Sequence, residues 1–302
     1  MEDIDKDLLI REIYEKVLKI RRELKLKDVN VEIVDVELIY ENGDTILNIC
    51  VLTRSDKSTV IGPGGWVVGK LREYLRDRFP GNLKIVVDTY IDRLILNNKR
   101  ERSRSLLNSV GLIEGERILA LVQCSYDLGV LDFLRRHFKV SVVSLNIGSV
   151  VLPSKNRRLI EDYCVKYKIP YKLIDPLKLK GEEIKKVLDS YPCNLCNHIV
   201  FKYLPRECRE MGIRYLVNNH LPGEVERLED IYIINFLKIY PLKRDILRRN
   251  YPYLECPLMI QCLKRNEELK VKIIGDIVSE VYEGLMEPGI GAEIIMNIER
   301  IK

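Results

Sequence analysis

Residues 192–198 read PCNLCNH, two cysteines two residues apart with a proline before them and a histidine close behind. Thiols at that spacing serve redox exchange, zinc binding or an iron–sulfur cluster. Redox exchange fits poorly, because the pair does not sit at a thioredoxin-like strand–helix start. For zinc, Cys193, Cys196 and His198 could combine with Cys208 as soft and borderline ligands. The arc from Cys196 to His198 is tight for one ion, and Cys208 reads equally well as a small buried hydrophobe. On these residues alone zinc and a cluster both stay open.

A second chemistry-bearing stretch is VIGPGGWVVGKLREYLRDRF. Gly62, Pro63, Gly64 and Gly65 run straight into an amphipathic helix carrying Lys70, Arg72, Arg76 and Arg78. Glycines let a backbone approach a phosphodiester, and a helix start offers N–H groups to anionic oxygens. The plainer reading is a tight turn with no ligand. The order of elements around it is helix, two strands, short helix, glycine turn, helix and strand. Over residues 1–95 that order resembles a type II KH domain, with I-G-x-G-G as its most specific part. The resemblance implies that the turn and the helix start, with Lys70 and Arg72, grip about four nucleotides of single-stranded RNA. Pro63 departs from the family, where many such loops carry a basic residue, so weaker phosphate affinity is expected.

The elements that must position these residues follow from the wider pattern. At 302 residues the chain is long enough for two domains. Its +5 formal charge permits a nucleic-acid partner without demanding one. No apolar run approaches the roughly 20 residues that cross a bilayer, so no membrane partner is expected. The opening MEDIDKDLLIREIYEKVLKIRRELK alternates charged and apolar residues at helical spacing and does not read as a signal peptide. The expected compartment is therefore the cytoplasm, where the eight cysteines stay reduced and metal binding outweighs disulfides.

Residues 96–115, polar and basic at their start with two glycines near their end, read as a linker. Residues 116–302 then alternate strand and helix. RILALVQ and VSVVSLN have the composition of buried parallel strands, and YKLID and IRYLVNN are two more. In SKNRRLIEDYCVKY, Leu159, Ile160, Tyr163 and Tyr167 share a helical face. The expected fold class is α/β, an open parallel sheet with helices on both sides, preceded by a small α+β domain. Ligands of such sheets sit at the carboxyl ends of strands.

Four segments in the right order, over roughly residues 115–265, resemble the PP-loop ATP pyrophosphatase superfamily, in particular its tRNA-thiolating group. They are RILALVQ running into CSYDLGVLDFL, SLNIGSVVLPSKNRRLIEDYCVKYKIPY, PCNLCNHIVFKYLPRECREMGIRYLVNNHLPGE and KIYPLKRDILRRNYPYLECPL. The resemblance implies a PP-loop/HUP type sheet. It also implies a nucleotide site at Cys124, Ser125, Asp127, Asn146 and Gly148, with Cys124 and Asp127 nearest the chemistry. In these thiolases a CxxC pair and the cysteine of a later E-C-P segment hold a [4Fe-4S] cluster. Here those residues are Cys193, Cys196 and Cys256, with Cys262 in reserve, and one iron would lack a protein ligand. The implied partner is RNA, specifically tRNA, and the implied reaction is sulfur transfer to a base.

The departures bear on ATP and magnesium. Where the family has S-G-G-x-D-S this chain has Gln123-Cys124-Ser125-Tyr126-Asp127-Leu128, which keeps the aspartate and loses both glycines. Forcing Cys124 and Ser125 into left-handed backbone would cost about 1–2 kcal/mol each, so a reshaped loop is expected. Where the family has an acidic H-N-L-D-D-E segment this chain has Asn219-His220-Leu221-Pro222-Gly223-Glu224. Weak ATP binding follows, unless a second copy completes the site in a homodimer. An ATP-independent enzyme that moves or removes sulfur, and an RNA-binding protein with a structural metal, are the rival readings. His220 reads as a packing residue before a catalyst. Lys155, Arg157, Arg158, Arg244, Arg248 and Arg249 read as a solvated face or as a track for an RNA backbone. The sulfur donor is left unspecified.

Overall fold

The computed structural model describes residues 5–41, 43–175, 191–242 and 252–301. The chain divides into two compact units, Met1–Asn97 and Asn98–Lys302.

In the first unit, α1 (Lys6–Glu23) begins where the Asp5 carboxylate caps the N–H groups of Asp7 and Leu8. Its residues Leu9, Ile13, Val17 and Ile20 recur at helical spacing and are buried. They pack with Val67, Leu71 and Leu75 of α3 (Trp66–Leu75) over a three-stranded sheet. Strands β1 (Ile33–Glu41) and β2 (Asp44–Val51) form an antiparallel hairpin, with Gly43 at φ 85° in the turn. Strand β3 (Leu83–Thr89) runs parallel to β2 on its other side. Between β2 and α3 lies α2 (Arg54–Ile61), started by a reciprocal Thr53–Asp56 capping box. The unit thus reads α-β-β-α-α-β.

Helix α4 (Tyr90–Ser109) spans the boundary between the units. Residues 96–115, expected as a linker, are therefore helical as far as Ser109. Their polar composition hid four buried positions, Leu96, Ser103, Leu107 and Leu112. The Ser103 hydroxyl donates to the Lys99 carbonyl one turn back, 2.6 Å away, which lets a polar residue be buried in a helix.

The second unit is built on a six-stranded sheet of order β6-β5-β4-β7-β9-β8. Strands β4 (Arg117–Leu121), β5 (Lys139–Leu145), β6 (Tyr171–Ile174), β7 (Tyr215–Val217) and β9 (Ile231–Ile234) run parallel to one another. The short β8 (Val225–Leu228) returns antiparallel as a hairpin with β9, which the strand–helix alternation did not anticipate. Alternate residues face opposite layers. Ile118, Ala120 and Val142 pack with Val130, Leu131 and Leu134 of α5 (Ser125–His137) and with Ile160 of α6 (Ser154–Tyr167). Leu119, Leu121, Val143 and Leu145 pack with Ile199, Val200 and Leu204 of α7 (Cys193–Glu210). Helices therefore cover both faces, as an open parallel sheet requires. On α6 the buried positions are Ile160 and Cys164, whereas Leu159 is exposed.

Short helices α8 (Phe236–Ile239), α9 (Pro252–Glu255) and α10 (Pro257–Leu263) follow, then α11 (Glu267–Tyr282) and α12 (Pro288–Glu299). Met259, Cys262, Ile273, Ile277 and Ile298 give these helices their own apolar core. The chain steps outward from β4 to β5 and β6, then crosses to β7 on the other side of β4. That reversal places a crevice at the carboxyl ends of β4 and β7. No helix among the described residues is long and apolar enough to cross a membrane.

Candidate metal centre

The crevice is lined by four groups of residues from distant parts of the sequence. Gln123 and Cys124 follow β4, and Asn218 and His220 follow β7. Cys193, Cys196 and Asn197 come from the first turn of α7, and Glu255 and Cys256 from the junction of α9 and α10. Leu121, Leu145, Ile147, Val151, Val200 and Met259 complete the wall, which is largely apolar. The thiols of Cys193, Cys196 and Cys256 thus open on one cavity although 60 residues separate the last two.

Each of these thiols sits at a helix start. Cys193 and Cys196 lie on one face of the first turn of α7, and Cys256 caps α10. Burial pushes the Cys193 thiol up to about 12, and the neighbouring Cys256 adds to that. Burial raises Cys196 too, with Cys193 and Cys256 contributing. Cys256 is also raised by burial, but N–H groups of Met259 and Leu258 favour its thiolate and partly offset the rise. Thiols raised in this way are costly to deprotonate unless a cation displaces their protons.

The zinc set weighed from the sequence does not form. His198 is exposed. Cys208 is fully buried in the sheet-facing core, about 18 Å beyond Cys196 along the same helix at 1.5 Å per residue.

The turn after β4 is reshaped without strain. Cys124 is extended at φ −147°, and Ser125 is the first residue of α5, so neither is left-handed. Its backbone donors are already occupied. The N–H groups of Gln123 and Cys124 donate to Asp127 Oδ2 at 2.9 and 3.3 Å. The Ser125 N–H donates to Glu255 Oε2 at 2.8 Å, and the Ser125 hydroxyl donates to Glu255 Oε1. Two internal carboxylates thus hold the donors that a pyrophosphate would need.

Asp127 is buried beside His220, whose Nε2 lies 3.3 Å from Asp127 Oδ2. Burial would raise Asp127, but the charge and hydrogen bond of His220 outweigh it and leave the carboxyl below its usual range. Burial would lower His220, but Asp127 more than offsets this and leaves the imidazole raised. Cys124 Sγ lies 3.4 Å from the same Oδ2. Burial and the Asp127 charge push that thiol well up. Asn219 Nδ2 donates to Asp127 Oδ1 at 3.3 Å. The backbone of His220 is fixed by Asn218 Oδ1, which accepts its N–H at 3.1 Å, and by Asn197 Nδ2, which donates to its carbonyl at 3.0 Å.

Of the expected nucleotide residues, Cys124 lines the cavity, while Asp127 and Ser125 stand behind it on α5. Asn146 and Gly148 do not line it. The Asn146 amide is turned to Asp175, and Gly148 takes φ 117° in the loop before α6. His220, expected as a packing residue before a catalyst, lines the cavity and meets Asp127, and Glu255, which lines it too, was not singled out from the sequence. The only sequence signal for Glu255 was its place in the E-C-P segment.

In the first unit, Gly62, Gly64 and Gly65 have φ of 72°, 58° and 76° between α2 and α3. A Cβ on Gly62 would stand 2.3 Å from Val67 Cγ2, so that position needs glycine. Pro63, Gly64 and Trp66 are exposed. A groove of about 330 Å³ beside the turn is lined by Gly65, Val68, Gly69, Arg72 and residues 82–85, including Lys84. Lys70 is half-buried, 3.8 Å from Glu23 Oε2. Lys155 and Arg158 are exposed and Arg157 pairs with Glu161, while Arg244, Arg248 and Arg249 lie outside the described residues.

No protein-family model matches the chain, and no curated protein does. Among solved structures it is similar to the U34-tRNA thiolase NcsA from Methanococcus maripaludis with its [4Fe-4S] cluster. The two share 13% identity at a TM-score of 0.36, over 70% of this chain and 79% of that one. A likeness at that score carries no argument about fold or chemistry.

Proposed function

We propose that this is an RNA-binding sulfur enzyme of PP-loop kinship, whose Cys193, Cys196 and Cys256 hold a [4Fe-4S] cluster and whose substrate is a tRNA base. The observation that carries the reading is the convergence of those three thiols on one apolar cavity at the carboxyl ends of the central strands. The donor set fits the group. The three thiols sit at helix starts and share the cavity with the aliphatic side chains of Leu121, Ile147 and Val200. When bound, the cluster supplies an iron without a protein ligand, to which a sulfur atom can attach. The chain's own residues shape the rest of the cavity. Leu121, Ile147 and Val200 exclude water, and His220, fixed by Asn197 and Asn218, presents a polar group beside Cys124.

The α-β-β-α-α-β order, the positive-φ glycine turn and the groove flanked by Arg72 and Lys84 support a type II KH-like role for the first unit. There Gly62, Pro63, Gly64 and Gly65, with Lys70 and Arg72, would hold the backbone of a single strand.

A second reading, ATP-independent removal of sulfur, is favoured by the carboxylates of Asp127 and Glu255 on the turn after β4. Replacing a base carbonyl oxygen by sulfur needs that oxygen activated as a leaving group, which adenylation by ATP provides. The reverse needs none, since thiocarbonyl plus water gives carbonyl plus sulfide with no change of oxidation state. Mass analysis of nucleosides after anaerobic incubation decides between them. Sulfur gained from sulfide only when Mg-ATP is present supports the thiolase, and sulfide released from thiolated tRNA without ATP supports the second reading. No change in either RNA, with the cluster loaded, would leave neither standing.

A further inference from the structure

We infer that Cys124, Asp127 and His220 form a second, mononuclear site for a divalent metal of the zinc class, with an open coordination position toward the thiol cavity. This goes beyond the cluster reading and does not depend on it. The three ligand atoms all lie within 4.8 Å of one another. For bonds near 2.3 Å to sulfur and about 2.0–2.2 Å to nitrogen and oxygen, tetrahedral edges come to about 3.4 Å for N···O and about 3.6 Å for S···O. The measured edges are 3.3 Å from His220 Nε2 to Asp127 Oδ2 and 3.4 Å from Cys124 Sγ to that same oxygen. A charge-assisted imidazole–carboxylate hydrogen bond would sit nearer 2.7–2.9 Å. Both distances are close to those between two ligands of one ion.

A nucleophile reading of the same residues fails on their order. An activated cysteine needs the imidazole between thiol and carboxylate. Here the carboxylate oxygen is the middle atom, and an anion 3.4 Å from the sulfur disfavours the thiolate. A cation at the centre of the three removes that conflict. It neutralises the thiolate and the carboxylate together, in a pocket where Asp127 is 1% exposed and Cys124 5%.

The surroundings are those of a supported metal site. Asn219 Nδ2 holds the second carboxylate oxygen of Asp127, and the N–H groups of Gln123 and Cys124 hold the first. Asn219 Oδ1 is buried with no partner among the described residues, an acceptor suited to a water on the ion. Three protein ligands of sulfur, nitrogen and oxygen with a fourth position open is the pattern of a catalytic zinc centre. Cys124 and His220 both line the thiol cavity, so the open position would face a substrate held there.

The test uses the full chain with Cys193, Cys196 and Cys256 changed to serine, titrated anaerobically with Co2+. One equivalent should bind with thiolate-to-cobalt charge-transfer absorption in the near ultraviolet. Adding Cys124→Ser should abolish the absorption, and His220→Ala should weaken binding by at least about 100-fold. Asn219→Ala should weaken it by about 10- to 100-fold, the size of an outer-shell effect. An absent cobalt signal, or one that survives both Cys124→Ser and His220→Ala, overturns the site. If the triple variant does not fold, the otherwise unaltered chain is compared with its Cys124→Ser variant for bound Cd2+. The unaltered chain should retain one more equivalent, and equal retention overturns the proposal. Iron and sulfide content, measured on the same samples, reports on the cluster separately.

Discussion

Two turns in this chain lead from one element into a helix start, and they differ in what surrounds the first N–H groups of the helix. The turn between α2 and α3 is made of glycines at positive φ, with Pro63 and Gly64 exposed and a groove bearing Arg72 and Lys84 beside it. The turn between β4 and α5 has no glycine, and the N–H groups of Gln123, Cys124 and Ser125 all point to carboxylates of the protein itself. A helix start attracts anions whatever their source. What separates a phosphate site from a structural cap is whether the chain has already supplied the anion. Asp127 does so from within the same helix. Glu255 does so from 130 residues away and next to Cys256, so the thiol cavity and the turn after β4 are tied together.

That contrast can be broken by salt. If the glycine turn neutralises about four phosphates, the slope for single-stranded RNA should be roughly −3, a loss of about fifty-fold between about 50 and about 200 mM salt. A flat salt response would remove the electrostatic half of the comparison. A smaller effect, about tenfold, is expected from Gly64→Asp, which adds a negative charge at the exposed apex. Aspartate tolerates the φ of 58° found there, so the fold should persist. RNA affinity unchanged by that substitution would place the site elsewhere.

The other turn gives the smallest change. Mg-ATP should bind with a dissociation constant above about 100 μM. Glu255→Ala should tighten this by only a few-fold, because Asp127 still holds two of the three donors. Asp127→Asn alone should alter it little. Calorimetry reads all three. Tight binding by the unaltered chain, lost in Asp127→Asn, would show that the loop seats a nucleotide after all.

What could be read from the sequence divides along the same line. Elements fixed by local pattern were visible, among them the helix of α1 with its buried Leu9, Ile13 and Val17 and the run of β4. The turn Gly62–Gly65 and the CxxC pair were visible because residue type and spacing carry their chemistry. The contact of Glu255 with Ser125 was not, because a glutamate looks the same whether it caps a distant helix or faces water. His220 looked like a strand-end packing residue until Asp127 was found 3.3 Å away. The helical part of residues 96–115 was hidden because Ser103 buries a hydroxyl that its own helix satisfies. The β8–β9 hairpin was hidden because four-residue strands leave too short a pattern.

If the three distant thiols hold one cluster, metal analysis of anaerobically purified protein will show it. The chain should carry about four irons and four sulfides. Cys256→Ala should lose most of the iron, while Cys208→Ala, altering a thiol buried in the core away from the cavity, should keep it. One tightly bound zinc per chain with no labile sulfide, and iron content indifferent to Cys256, would contradict it.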